Sequence, residues 1–366
     1  MTVDPHQQRR FAVEVVQTLR DAGFEAYWAG GCVRDQLLNR PPNDYDVATN
    51  ATPPDVRRLF GHQRTLPIGA AFGVITVRGP RDAGQIEVAT FRRDAAYSDG
   101  RHPDSVSFST AREDASRRDF TINGLFYDPI EERVIDFVGG QEDLRRRVIR
   151  AIGDPCERID EDKLRMLRAV RFSARFDFAL EAETLAAIRR RAAEITVVSP
   201  ERIAVEMHHI LVHAHRATGV RLLIETELAA AILPEIVPAD EHQQRQLDRS
   251  LAVLEQLRQP GFPLALAALL LGRVDREGAA RVGRRWRLSN HETDRTAWLV
   301  EHRADLNRAR SMRWSTLQPL LIAEGIGDLL ALNEAVALAG SGQTGPIDYC
   351  RALLEQPPEK LNPPHC

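Results

Sequence analysis

Lysine is almost missing from this 366-residue chain: it occurs only at Lys163 and Lys360, and every other basic residue is arginine. Genomic base composition can produce that skew, so it is given no functional weight. Cysteine is scarce as well. Cys32, Cys156, Cys350 and Cys366 lie far apart with no paired spacing. This argues against a disulfide framework or a zinc site and fits a reducing cytoplasm. No apolar run is long enough to cross a bilayer, so no membrane role is expected. Residues 1–10 are polar and lack the apolar core of a signal peptide. The formal net charge of −3 excludes a globally basic protein, so nucleic-acid binding must rest on a local basic surface.

What is present divides the chain. Its length predicts two or three domains. Residues 9–22 read as an amphipathic helix with Phe11, Val15, Val16 and Leu19 on one face, ended by Gly23. Residues 25–29 read as a strand running into Gly30-Gly31, followed by a helical stretch at 33–38. Residues 44–48 form a second predicted strand. Thr52 caps a helix with proline in its first turn. Residues 74–77 and 86–91 are further strands, 92–104 a loop, and 106–108 a return to the sheet. Past about residue 150 the β signals fade, and 162–176, 182–193, 201–213 and 264–271 all read as helix. The expectation is an α+β protein: a mixed sheet with helices, then an all-helical remainder. Pro234, Pro238 and the polar residues 240–248 are a candidate boundary, and the proline-rich residues 357–366 a frayed end.

Chemistry concentrates early. In an extended strand, residues i and i+2 point to one face, so Asp44 and Asp46 would aim two carboxylates at one point, with Tyr45 turned to the core. Such carboxylates repel unless a cation lies between them. Mg²⁺ suits the pair because it takes oxygen ligands and shares them with substrate phosphates, and two such ions can hold the attacking and leaving oxygens of an in-line displacement. Glu87 is the best-placed third carboxylate on a neighbouring strand. Upstream, Gly30-Gly31 lets backbone N–H groups approach phosphate, and Arg34 in the next helical turn can pair with a phosphate oxygen.

The runs Gly30-Gly31-Cys32-Val33-Arg34-Asp35-Gln36-Leu37-Leu38 and Asp44-Tyr45-Asp46-Val47-Ala48-Thr49 resemble the signature of the class II tRNA nucleotidyltransferases. These are the bacterial and eukaryotic CCA-adding enzymes and the bacterial poly(A) polymerases, within the DNA polymerase β superfamily. The resemblance covers roughly residues 10–230. It implies a five-stranded polymerase-β-like nucleotidyltransferase head over 1–150, a helical neck over 151–232, and a helical body and tail over 233–366 that hold tRNA.

Further motifs follow the same series. Arg117-Arg118-Asp119-Phe120-Thr121-Ile122-Asn123 is similar to the second motif. Arg118 can grip triphosphate oxygens and Asp119 can accept from a ribose hydroxyl, with Asn123 one helical turn on. Residues 160–172 resemble the base-selecting motif. Asp162 and Arg165 are three apart, Arg168 continues the row, and in the family the matching aspartate and arginine read the Watson–Crick edges of CTP and ATP. A carboxylate accepts from the exocyclic amine of cytosine or adenine, whereas uracil and guanine would leave it unpaired. An i,i+3 salt bridge is the plain structural alternative.

Residues 92–104, with Arg93, Asp94, Tyr97, Gly100 and Arg101, resemble the flexible loop that CCA-adding members use for the terminal A. The longer insertion and basic tail of the poly(A) polymerases are missing. Poly(A) addition, A-only or CC-only addition, and a catalytically silent RNA-binding relative remain as alternatives. Glu201-Arg202-Ile203 with Glu206 reads as structural salt bridging. Gly139-Gly140 and Gly153 offer a hinge. His209 and His213 lack an acid on their face for zinc. The arginines around Trp286 (Arg281, Arg284, Arg285, Arg287) and Trp314 (Arg308, Arg310, Arg313) could grip RNA phosphates while the tryptophans stack on bases, or simply be solvated helix faces.

Overall fold

Asp4 accepts hydrogen bonds from the backbone of His6 and Gln7 and so starts helix α1 (Pro5–Asp21), in a computed structural model that describes residues 3–94 and 106–356. The chain forms two compact units: Met1–Arg165 with Phe178–Ile188, and Met166–Asp177 with Arg189–Cys366.

In the first unit, the buried stripe Phe11, Val15, Val16 and Leu19 of α1 packs on strand β1 (Ala26–Ala29). Trp28 is the pin: its indole N–H donates to the Ala12 carbonyl at 3.2 Å, and its ring meets Tyr45 at 4.7 Å. After β1 come α2 (Gly31–Leu37), β2 (Asp46–Thr49) and α3 (Pro53–Phe60). Thr52 caps α3 through a reciprocal box with Asp55. Strands β3 (Thr65–Leu66), β4 (Val74–Arg78) and β5 (Gln85–Thr90) follow. Next are β6 (Arg92–Asp94), β7 (Val106–Phe108), helix α4 (Ala111–Ser116), β8 (Leu125–Asp128) and β9 (Arg133–Asp136). The main sheet runs β3-β4-β5-β2-β1-β8-β9, with only β2 and β5 parallel.

Two expectations are corrected here. The sheet has seven strands and not five, because β3 and the β8–β9 hairpin add three strands at its edges and residues 106–108 are not part of it. Residues 106–108 do not rejoin it: β7 pairs with β6 in a separate ribbon, Arg92 opposite Phe108. Phe91, the last residue before that ribbon, is buried with Ala29, Ala48, Ala111, Ala115 and Phe126 on the sheet face that α4 covers.

Helices α5 (Gly140–Arg146), α6 (Pro155–Glu161) and α7 (Arg165–Phe176) follow. Gly140 approaches the chain so closely that a Cβ there would lie 2.2 Å from the Thr121 carbonyl oxygen. This accounts for Gly140 as a packing requirement, whereas Gly139 is uncrowded and caps the helix at φ +79°.

The second unit is helical. Phe262–Leu269 is apolar on nearly every side and buried at its centre. The polar residues after Pro238 form the first half of helix Glu241–Gln256, capped by Asp240. Arg171 donates to Glu206 at 2.6 Å in a pair that is almost wholly buried, the structural role expected for Glu206. Trp286 is 2% exposed, donates to the Ile232 carbonyl and lies against Phe262, so it cannot serve as a stacking platform for bases. Its neighbours Arg284, Arg285 and Arg287 pair with Glu277, Glu235 and Glu201. His209 and His213 belong to no group of three or more side chains able to hold a metal among the described residues.

Candidate active site

Asp46 opens β2, and Glu87 stands opposite it in the parallel β2–β5 ladder. Side chains in register on neighbouring strands share a face, so the two carboxylates rise from the same side of the sheet. Asp44 lies just before the strand and not within it. Tyr45 is buried against Trp28, as the alternation requires. Asp46 keeps an exposed face at the sheet's end, yet the protein around it is dense. Burial, then the Asp44 and Glu87 charges, push its carboxyl up to about 6, while Arg118 pulls it back. A carboxyl raised first by burial and then by two neighbouring negative charges would be stabilised in its ionised form by a cation.

Among the described residues no three Asp, Glu, His or Cys side chains converge tightly enough to cage an ion. Cys32 is no competing ligand. It is buried behind the turn, its thiol donates to the Ala29 carbonyl, and burial pushes its pKa up to about 12.

Gly30 caps α2 with φ +69°, a conformation that only glycine takes without strain. A Cβ there would stand 2.8 Å from Nη1 of Arg118, so the turn and that arginine touch. Gly31 is different: a Cβ would meet nothing nearer than Arg34 Nη2 at 3.7 Å. Packing within the protein does not demand glycine there, whereas close approach of a phosphate to the turn would.

Arg118 is held from several sides. Its Nη2 and Nε donate to Asp114 Oδ2 at 3.0 and 3.3 Å, its Nη1 donates to the Asn123 carbonyl at 3.3 Å, and its guanidinium lies 5.2 Å from the Phe126 ring centre. Sequence reading passes over Asp114. Its signal is weak: it lies in the first turn of a capped helix, three and four residues before the two arginines.

The remaining motif residues form a buried chain. Arg34 is 4% exposed and donates to Asp35 and to Asn123 Oδ1 at 2.6 Å. Asn123 in turn donates to Asp119 Oδ1 at 3.0 Å. Asn123 does share a face with Asp119, but in a short 3₁₀ turn, Thr121–Asn123. Arg34, which the sequence offers to a phosphate oxygen, also links the turn to Asp119 through Asn123.

The base-selecting series is corrected in its geometry. Asp162 is not helical: at φ −149°, ψ 105° it separates α6 from α7. Its carboxylate accepts from the Leu164 N–H and its carbonyl from the Arg165 N–H, so it starts α7 instead of riding on it. Arg165, the first residue of α7, pairs with Glu161 at 2.5 Å and reaches the carbonyls of Arg158 and Arg117. Glu161–Arg165 is one of several ion pairs around this motif, with Arg158–Glu161 and Lys163–Asp160. Arg168 lies further along α7, in the second unit, over the Phe172 ring. In the loop, Arg93 sits 3.7 Å from Glu113. Tyr97, Gly100, Arg101 and the Asp94 side chain lie outside the described residues.

Residues 26–150 match the family described as "Poly A polymerase head domain", and residues 177–239 that described as "Probable RNA and SrmB- binding site of polymerase A". A CCA-adding enzyme of Anoxybacillus flavithermus is 43% identical over 64% of this chain and 58% of its own length. One from Lactiplantibacillus plantarum is 34% identical over 88% of this chain and 79% of its own. The solved Bacillus stearothermophilus CCA-adding enzyme in complex with CTP superposes with a TM-score of 0.75 and 32% identity, covering 94% of this chain and 82% of that one. Against several of these relatives the chain spans only 52–59% of their length. On the extent and identity of the longer matches, together with the head-domain match and the carboxylate–arginine site, the chain belongs to the family of the CCA-adding enzymes.

Proposed function

We propose that this protein is a template-independent nucleotidyltransferase that builds CCA on the 3′ end of tRNA from CTP and ATP. The observation that supports it most is that Arg118 acts on the Asp46 carboxylate and touches the Gly30 turn, which supports reading a divalent-cation site beside a triphosphate grip. The RNA 3′-oxygen attacks the α-phosphorus of the nucleotide, the bond to the bridging oxygen of the β-phosphate breaks, pyrophosphate leaves, and the hydroxyl proton passes to solvent. Mg²⁺ held by Asp44 and Asp46, with Glu87 beside them, would supply positive charge against the developing charge on the phosphates. Arg118 holds the triphosphate, and Asp119, fixed by Asn123, offers an acceptor to the ribose. Catalysis is then positioning and electrostatics.

Asp162 and Arg165 select C and A by their hydrogen-bonding pattern, with Arg168 in support. The proposed division is a catalytic head over 1–150, a neck over 151–232 and a helical body and tail over 233–366. The match of 177–239 to an RNA-binding description supports an RNA-holding role for the helical region. A protein using tRNA, ATP and CTP would work in the cytoplasm.

The test is incubation with tRNA transcripts ending at the discriminator base, at C and at CC, with each NTP alone and in pairs. Addition of three nucleotides followed by arrest is expected. A long A ladder would indicate poly(A) synthesis, use of only CC-ended tRNA would indicate A addition, and no incorporation would leave an RNA-binding module.

A further inference from the structure

We infer that Asp114 is a positioning residue for nucleotide binding: its buried carboxylate fixes the Arg118 guanidinium in the pose that grips the triphosphate. The inference rests on the nucleotidyltransferase reading above and adds to it a residue outside the motif series.

The geometry is specific. Asp114 is 2% exposed. Its Oδ2 takes Nε and Nη2 of Arg118, while Oδ1 takes Nε and Nη2 of Arg117 at 2.9 and 2.7 Å and the backbone N–H of Arg92 at 3.3 Å. One carboxylate therefore joins both arginines of the Arg117-Arg118-Asp119 run to the first residue of β6. Burial alone would raise the Asp114 carboxyl, but the two guanidinium groups and their hydrogen bonds hold it below the ordinary carboxylate range, so it stays charged.

With its Nε–Nη2 edge committed to Asp114, one face on Phe126 and Nη1 donating to the Asn123 carbonyl, the Arg118 guanidinium is held with Nη1 against the Gly30 turn. A long arginine otherwise loses rotamer freedom when it grips a phosphate. Asp114 removes most of that loss before the nucleotide arrives, so its effect falls on triphosphate affinity. Arg117, turned to the same carboxylate, sends its own carbonyl to Arg165, which places the first residue of the base-selecting helix against the same anchor.

The experiment compares binding of CTP and CMP by calorimetry, and KM and kcat for CTP incorporation, in wild type, Asp114→Asn, Asp114→Glu, Arg118→Gln and the Asp114→Asn/Arg118→Gln double variant. Wild type is expected to prefer CTP over CMP. Asp114→Asn is expected to weaken CTP about tenfold or more while leaving CMP within about twofold, as loss of a charged hydrogen bond implies. KM rises more than kcat falls. The double variant is expected to bind CTP no worse than Arg118→Gln, because residues acting as one unit are non-additive. Asp114→Glu keeps the charge and recovers part of the preference; it also carries the test should the Asn variant fail to fold by circular dichroism. An unchanged CTP/CMP ratio in Asp114→Asn, or full additivity in the double variant, would overturn the inference. A wild type that neither prefers CTP nor incorporates nucleotide would overturn the functional reading itself.

Discussion

Glu87 faces Asp46 across the one parallel ladder of the sheet, Cα partner to Cα partner. With Asp44 two residues upstream, three carboxylates share one end of the sheet, and only Arg118 offsets their charge at Asp46. The roles nevertheless differ. Asp44→Ala and Asp46→Ala are expected to abolish incorporation while RNA affinity in filter binding stays within about twofold, since they would remove the ion's own ligands. Glu87→Gln is expected to cost about 10–100-fold in kcat, the size seen when a group supporting a metal site is lost. Equal loss in all three variants would make Glu87 a direct ligand. Survival of activity in Asp44→Ala would remove the metal assignment.

The Asp46 carboxyl also sets a pH dependence. Its folded pKa, about 6, lies above the ordinary 3.8. A group raised on folding contributes stability that is fully present below the unfolded pKa and is lost as pH rises through the folded one. The metal-free protein therefore loses this contribution between about pH 4 and pH 6. On the proposed assignment, Mg²⁺ pairing with the ionised form would offset the loss. The rise in Tm on adding Mg²⁺ is expected to be small at pH 5 and to grow to a plateau above pH 7. In Asp46→Asn the rise should lose most of this pH dependence. Calorimetric scans with and without Mg²⁺ across that range check both points.

Local signals were readable in the chain, and relationships set by tertiary packing were not. Asp46 and the inward Tyr45 follow from strand alternation, and Thr52 from capping chemistry. Glu87 could be reached as an acid on a nearby strand, but its register opposite Asp46 depends on which strands pair. Asp162 misled because helical periodicity runs on through a break: the aspartate side chain caps the second helix without interrupting the apolar spacing. Trp286 misled for another reason. A tryptophan among arginines reads the same whether it faces solvent or, as here, donates to Ile232 in the core while the arginines turn to glutamates. Asp114 gave no motif at all, since its importance comes from two guanidinium groups folding back onto one helix turn.

The two turn glycines separate strain from ligand access. Gly30→Ala places a side chain at φ +69°, ψ −118° and drives a Cβ into Arg118 Nη1. It is expected to cost about 1–3 kcal/mol of stability and to raise the KM for CTP together with it. Gly31→Ala puts a Cβ in open van der Waals contact within a helix, so stability is expected to change by less than about 1 kcal/mol. If phosphate approaches this turn, activity in Gly31→Ala nonetheless falls about tenfold or more. Urea unfolding beside steady-state kinetics on both variants decides it. A Gly31→Ala enzyme with wild-type KM would move the triphosphate away from the turn.

The Arg171–Glu206 pair tests whether the motif residues of the second unit are structural. Their side chains are 13% and 7% exposed, and Arg171 also lies over Phe172 at 4.4 Å. Removing one partner strands the other charge in a medium that solvates it poorly, which costs about 3–5 kcal/mol, whereas replacing both with apolar side chains of similar size can be near neutral. Glu206→Ala is therefore expected to lower Tm sharply. The Arg171→Met/Glu206→Met double variant is expected to recover most of the loss. Well below its Tm, Glu206→Ala should retain a kcat within about threefold of wild type, as a purely structural role requires. A kcat loss of a hundredfold in a folded Glu206→Ala protein would instead place Glu206 among the groups that act on the nucleotide or the RNA.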